Sequence, residues 1–410
     1  MRYSLLNFVS RPSSNNELVC VTVKEAEAPM EQYRFQPCSR VSRPGAIVGP
    51  LPPQISSAHP TADILASLAA PPAEPDRNLQ VEVETGLLIC PETGRWYPVR
   101  GFIPEILPDH LRDFQQDFEF LRTLQNHLPL ELFRALDQES LFSNRLATDQ
   151  GIAYKRSEIG ITARIDDQKS FFAPGYMVPF IPTNTFQTVY VVRVFSFCLS
   201  LLQNAGGQIV LDTGCGYAWS TEWLMKSGFE PIGVDITRAY LDVSRQRTGA
   251  IAPHLVRGDT ENLPIRNRSI DAVIGYDSFH HIPDRPAAMR QFDRVLGDGG
   301  HIILAEPNEA HEAHEVSQSV MEKYGILERG MELQDVLQYV AGTGLCRVDQ
   351  VFPVQINHRD RWKSLSNEFV AKHNWSAANL FVINRAPVPP KSLFAKVSTV
   401  ARRFLCGDLI

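Results

Sequence analysis

Cysteine is sparse in this 410-residue chain, with seven in all, an odd number scattered through the sequence. That excludes a dense disulfide framework and leads us to expect reduced thiols in a cytosolic compartment. Long apolar runs are missing too. No stretch reaches the ~18 apolar residues that a membrane span requires. The opening "MRYSLLNFVSRPSSNNELV" breaks its short apolar run at Arg11 and Pro12, unlike a signal peptide. Nor is there an excess of positive charge. With 40 Lys and Arg against 46 Asp and Glu, the net charge is -6, so phosphate backbones gain no general attraction and nucleic acid is a disfavoured partner. No internal repeat is visible. The expectation is a cytoplasmic protein with enough apolar residues, 44% of the chain, to bury two or three domains.

What is present divides the chain. "ELVCVTVKEAE" places Val19, Val21 and Val23 on one side of a strand. The Pro- and Ala-rich stretch from about 43 to 78 reads as a loop or linker, because proline removes donors from ladders and helices. "LQVEVETGLLIC" and "RWYPVRGFIPEIL" predict two strands joined by a turn at 91–94, and the apolar spacing after Pro108 predicts an amphipathic helix. Residues 151–186 read as irregular, and the segment from Phe186 as a helix. From residue 206 strands and helices alternate strictly, with a helix in "PAAMRQFDRVLGDGG" expected to end at Gly299 and Gly300. Such alternation predicts an α/β architecture, a parallel sheet with helices on both faces.

The first strand-to-helix turn of that region is "VLDTGCGYAWST". Gly214 and Gly216 let the backbone turn sharply and approach a ligand; a plain tight turn is the alternative. Asp235 ends the next strand, where a carboxylate can accept both hydroxyls of a ribose. Asp259 ends the strand after it. His280 and His281 follow the fourth strand, at the edge where ligands of open α/β sheets bind; either a general base or packing residues fit there. "HEAHE" misses the i, i+4 spacing of a zinc-protease helix, which leaves a solvated helix start.

"VLDTGCG", "GVDI", "RGDTENLP", "SIDAVIGYDSFHHIPD" and "RQFDRVLGDGGHIILAEP", in this order, resemble the successive motifs of class I S-adenosylmethionine-dependent methyltransferases over about residues 206–310. The resemblance implies a Rossmann-like sheet and S-adenosyl-L-methionine as cofactor. Gly214 and Gly216 would line its methionine part, with Asp212 near the amino group. Asp235 and Ile236 would hold the ribose, and Asp259 and Thr260 would flank the adenine. Tyr276 and Asp277 would sit beside the reacting centre, with His281, then His280, as candidate bases. Ala218 stands where the family commonly has glycine.

"GLLICPETGRWYPVRGFIPEIL" resembles the small zinc-ribbon proteins that activate methyltransferases, and the related ribbon fused to bacterial methyltransferases. Tyr97, Pro98, Val99, Gly101, Ile103, Pro104 and Leu107 keep the strand pattern. The four ligand positions are occupied by Arg11, Ser14, Cys90 and Thr93, and a closed zinc site needs four ligands. The expectation is therefore a metal-free, β-rich ribbon-like domain, with no metal residues assigned.

The organisation expected is a ribbon-like domain at 1–108, a helical or irregular connector and lid at 109–205, the methyltransferase domain at 206–386 and a tail at 387–410. The tail segment 391–405 has one apolar and one basic face, which suits either peripheral membrane contact or docking on protein. The acceptor expected is an oxygen of a small molecule, sugar or lipid-linked intermediate. RNA methylation and a catalytically silent binding protein are the alternatives.

Overall fold

A computed structural model describes residues 1–12, 14–27, 60–68, 81–138, 142, 150–161, 177–180, 185–205, 208–248, 253–356, 359–363 and 379–385. The segment 391–405, most of 43–78 and residues 364–378 lie outside them. The elements run β1 (Val19–Glu27), α1 (Pro60–Leu68), β2 (Val81–Ile89), β3 (Trp96–Arg100), β4 (Ile103–Pro104), α2 (Phe114–Thr123), α3 (Leu130–Leu136), α4 (Gln150–Ile159) and α5 (Thr185–Ala205). Then follow β5 (Ile209–Thr213), α6 (Trp219–Lys226), β6 (Glu230–Asp235), α7 (Arg238–Arg247), β7 (His254–Arg257), β8 (Ile270–Tyr276), α8 (Arg285–Val295) and β9 (Leu296–Glu306). The described part closes with α9 (Glu315–Tyr324), α10 (Leu333–Tyr339), β10 (Arg347–Ile356), β11 (Arg359–Lys363) and β12 (Asn379–Asn384).

Three expectations need correction. The Pro- and Ala-rich stretch contains a helix, α1, because Pro60 stands at its first position, where its missing N–H costs nothing, and Leu65 enters a core. Part of the 151–186 segment is helix α4, whose Ile152 and Lys155 are buried. The helix expected to reach Gly299 stops at Val295, since "GDGG" is poor helix sequence and Leu296 already pairs with Ile270 in the sheet.

Strands β1 to β4 form an antiparallel sheet in sequence order. Its side chains alternate as a pleat requires. Leu87, Ile89 and Trp96 face α2 and α3, where the Trp96 indole N–H donates to the Leu136 carbonyl at 3.0 Å. Leu88, Cys90, Tyr97 and Val99 face the opposite way, into a core shared with Val256, Ile265 and Phe292 of the second domain. Burying each such side chain contributes ~1.5–3 kcal/mol.

The second sheet has eight strands in the order β11-β10-β12-β9-β8-β5-β6-β7. Strands β5 to β9 are parallel, and β12 runs antiparallel between β9 and β10. Order reverses at β5, which has β6 on one side and β8 on the other; such a switch point leaves a crevice at the strands' C-terminal ends.

The first sheet docks on the edge strand β7. Ile106 N donates to Arg257 O at 2.8 Å, and Glu105 bridges Arg257 in parallel. The chain's first residues do the same nearby, with Ser10 N on Pro264 O at 3.0 Å and Arg266 N on Phe8 O at 2.7 Å. Glu105, almost wholly buried, accepts from Arg238 Nη1 and Arg257 Nη1, both at 2.7 Å, and from Arg100 Nη1 at 3.3 Å. Burial pushes its carboxyl up, but the three guanidiniums outweigh that and hold it below the ordinary range.

Candidate active site

The turn after β5 is pinned to β6 by Gly214 N and Cys215 N, which both donate to Val234 O, at 2.8 and 3.2 Å. Gly214 and Gly216 have φ of 65° and 52°, a region that favours glycine. A Cβ on Gly214 would lie 2.5 Å from Ser278 Cβ, whereas one on Gly216 would meet nothing within 4 Å. Ala218 also adopts positive φ, 55°, which explains physically why a glycine would be comfortable there.

Gly214, Gly216, Asp235, Ile236, Asp259, Thr260, His280 and His281 all line one cavity of about 450 Å³ at the ends of β5 to β8. Asp235 uses one oxygen for Gly216 N and the other for Thr237 N, each at 2.8 Å. A carboxylate offers about four acceptor positions, so capacity remains on the cavity side. Asp259 accepts from Glu261 N at 3.1 Å, Asn262 Nδ2 at 2.8 Å and Lys155 Nζ at 2.9 Å. Lys155, from α4, also pairs with Glu261, and Thr237 Oγ1 donates to Glu158 O at 3.1 Å, so α4 is clasped over this end of the cavity.

Two expected residues lie elsewhere. Asp212 is buried under α6, accepting from Ser220 Oγ at 2.7 Å and Thr221 Oγ1 at 2.5 Å, and does not line the cavity. Burial pushes its carboxyl up to about 6, against those hydroxyl donors. Tyr276 packs edge-on to Trp219 with centroids 5.2 Å apart, and its hydroxyl donates to Val191 O at 3.3 Å. Asp277, in contrast, lines the cavity with φ of 52°, a strained conformation for a non-glycine residue.

The two histidines differ. The His281 Nδ1 donates to Leu327 O at 2.6 Å, which places the neutral ring's lone pair on Nε2. His280 is buried among carboxylates. Its Nδ1 lies 2.8 Å from Glu306 Oε2, and its Nε2 lies 3.4 Å from Glu328 Oε2. Burial pulls the His280 imidazole down, yet these carboxylates raise it to about 10. Glu306 is itself a cap, accepting from the backbone N–H groups of Ser278, Phe279 and His280 at 3.0–3.3 Å.

Among the cavity residues that sequence reasoning missed are His311, Glu328 and Lys155. His311 belonged to a motif set aside on helical spacing, but the segment is a 3-10 turn that carries its Nε2 to 2.7 Å from Glu328 Oε2. Glu328 lies in the loop between α9 and α10, where no motif pointed to it. Lys155 lay in a segment read as irregular; four-residue spacing with Gly151 and Ile159 gave no sharp apolar stripe to reveal α4.

Residues 211–304 match the family described as methyltransferase domain, and residues 2–101 match the family described as Trm112p-like protein. Among curated proteins, the chain is 30% identical over 145 residues to methyltransferase GfsG of Streptomyces halstedii, covering 34% of this chain and 52% of that protein. It is 32% identical over 106 residues to the phthiotriol/phenolphthiotriol dimycocerosates methyltransferase of Mycobacterium leprae, covering 25% and 39%. The chain thus spans about half or less of these relatives' lengths. A solved S-adenosylmethionine-dependent methyltransferase from Mesorhizobium loti is 16% identical with a TM-score of 0.37, covering 46% of this chain and 96% of that one.

Proposed function

Because this chain carries a methyltransferase domain of the class I S-adenosylmethionine-dependent kind behind a Trm112p-like domain, we propose that it methylates an oxygen of a small molecule, a sugar or a lipid-linked intermediate. The observation that carries this reading is the single cavity lined by Gly214, Gly216, Asp235, Asp259 and His281. Its residues suit the cofactor. The open space beside Gly216 gives a ligand room to approach, and the spare acceptor positions of Asp235 suit a ribose. S-adenosylmethionine supplies, when bound, a methyl group already activated on a sulfonium. The protein's tasks are then to orient the acceptor and exclude water, which in favourable cases contributes ~7–11 kcal/mol.

His281 is the proposed general base, taking the acceptor hydroxyl's proton on Nε2 while Leu327 O holds the ring's orientation. His280 is the second candidate, and its two carboxylate partners suit a positioning role. In the proposed organisation, residues 1–108 form a metal-free docking module, 109–205 form the connector and lid through α4, 206–386 carry the cofactor site and 387–410 form a tail. Peripheral membrane contact through 391–405 belongs to this proposal. An RNA acceptor fits less well, given a net charge of -6 and a cavity lined by Glu158, Glu261, Asp277 and Glu328.

Calorimetry with S-adenosylmethionine tests the reading. Asp235→Ala should weaken binding about 10- to 150-fold, the equivalent of ~1.5–3 kcal/mol for hydrogen bonds to a charged group. No binding by the wild-type chain would defeat it.

A further inference from the structure

We infer that His280, His311 and Glu328 form a divalent transition-metal site on the wall of the same cavity. The three side chains come from separate places in the sequence, the turn after β8, the turn after β9 and the loop between α9 and α10. One donor atom of each lies within 4.8 Å of the others, the only such trio of His, Cys, Asp or Glu among the described residues. Both imidazole Nε2 atoms face one carboxylate oxygen, Glu328 Oε2, at 3.4 Å from His280 and 2.7 Å from His311. Metal bonds of ~2.0–2.2 Å to nitrogen and oxygen set neighbouring donors roughly 3.0–3.5 Å apart. The first spacing already fits, and the second needs an opening of a few tenths of an ångström.

The support around His280 has the form that metal ligands need. Its Nδ1 points at Glu306 Oε2, 2.8 Å away, and three backbone N–H groups fix that carboxylate in place. With Nδ1–H donated there, Nε2 is the atom left to bind a metal once its proton is displaced, and a carboxylate behind a histidine orients the ring and raises its basicity as a ligand. A divalent ion between Nε2 and Glu328 would take the place of the proton that the imidazolium otherwise presents to that carboxylate. His280 and Glu328 are buried while the His311 side chain is 25% exposed, so the trio closes on the protein side and opens to the cavity. Ser317 Oγ lies 3.4 Å from His311 Nε2, near enough to offer an oxygen.

Three protein ligands with an open side is the pattern of a catalytic rather than a structural site. Two imidazoles and a carboxylate favour zinc, iron, cobalt or manganese over magnesium or calcium. The role follows from the function proposed above and rests on it: a metal here would hold and polarise an acceptor oxygen beside His281. The site itself does not depend on that function. It also differs from the ribbon, whose Cys90 belongs to no such trio among the described residues.

The test uses the full chain, stripped with chelator and titrated with Co²⁺ and Zn²⁺ by calorimetry and by the visible absorption of bound cobalt. One equivalent should bind, with affinity falling at least 100-fold in His311→Ala and in Glu328→Gln and 10- to 100-fold in Glu306→Gln. Circular dichroism would confirm that each variant is folded, and His311→Ala, the most exposed of the three sites, is the variant least exposed to misfolding. Cys90→Ser should leave binding unchanged. No uptake by folded wild-type chain, uptake indifferent to both His311→Ala and Glu328→Gln, or uptake lost in Cys90→Ser would each overturn the assignment. Because the probe is the metal alone, that failure is separate from a failure to bind S-adenosylmethionine.

Discussion

Replacing Glu105 by glutamine keeps its shape and removes the charge on which three arginines converge at the junction of the two sheets. Removing one member of a buried ion pair costs ~3–5 kcal/mol, because the other charge stays desolvated. Here the loss is shared unequally. Arg100 retains Asp117 at 2.6 Å and Arg238 retains Asp242 at 2.8 Å. Arg257 keeps its Nε bond to Ile236 O at 3.1 Å but loses its carboxylate. The expected cost is therefore near the lower end, ~3 kcal/mol, a large part of a domain's usual ~5–15 kcal/mol.

Urea unfolding followed by tryptophan fluorescence would measure it, since Trp96 reports on the first sheet and Trp219 on the second domain. A cycle with Arg257→Ala should show coupling, the double variant losing less than the sum. The pH dependence has a definite sign. Glu105 is held below its ordinary value when folded, so its stabilisation is present above the unfolded carboxyl's pKa and is lost as pH falls through the folded one. A cost below ~1 kcal/mol, well under the buried-pair range, or additive single effects would refute the reasoning that this network holds the first sheet on the second.

Three further predictions follow from local geometry. Asp212 has its folded pKa raised to about 6, so its contribution to stability is greatest below the ordinary aspartate range and is lost as pH rises through about 6; Asp212→Asn should flatten that decline in a series of thermal melts. Gly214→Ala and Gly216→Ala share the positive-φ cost of ~1–2 kcal/mol, but only the first meets Ser278, so it should be the more destabilising by ~1–3 kcal/mol of overpacking. Equal melting temperatures would contradict this, while Gly216→Ala should act mainly on cofactor affinity, measured by calorimetry. Cys90→Ser should remain folded and cost only packing of a buried residue, read from its denaturation midpoint; loss of the fold would count against a metal-free ribbon.

Much of the second domain was legible because buried parallel strands are continuous apolar runs and the turns between them carry Gly214, Gly216, Asp235 and Asp259 in order. Those four meet in one cavity. Asp212 misled because a carboxylate at a strand end reads the same whether it faces a ligand or caps hydroxyls of the next helix, as Ser220 and Thr221 show. His311 and Glu328 were hidden for another reason. They lie 17 residues apart on irregular backbone, and no periodicity announces that a 3-10 turn and a loop will point at His280. In the first domain Trp96 and Tyr97 lie in a segment legible as a strand, but nothing local says that both of its faces are buried or that one belongs to a different domain. That partnership lives in contacts such as Glu105 with Arg257, which composition cannot display.

The pairing of the first ten residues with the segment near Ile265 bears on synthesis. Val9 O accepts from Arg266 Nε across 257 positions of sequence. At a translation rate of ~5–20 residues per second, roughly 13–50 s separate the emergence of these partners from the ribosome. From their own synthesis until that segment follows, Leu88, Tyr97 and Val99 lack the apolar surface that covers them in the finished protein. The leading sheet is thus completed only when the trailing domain is made and folds against it.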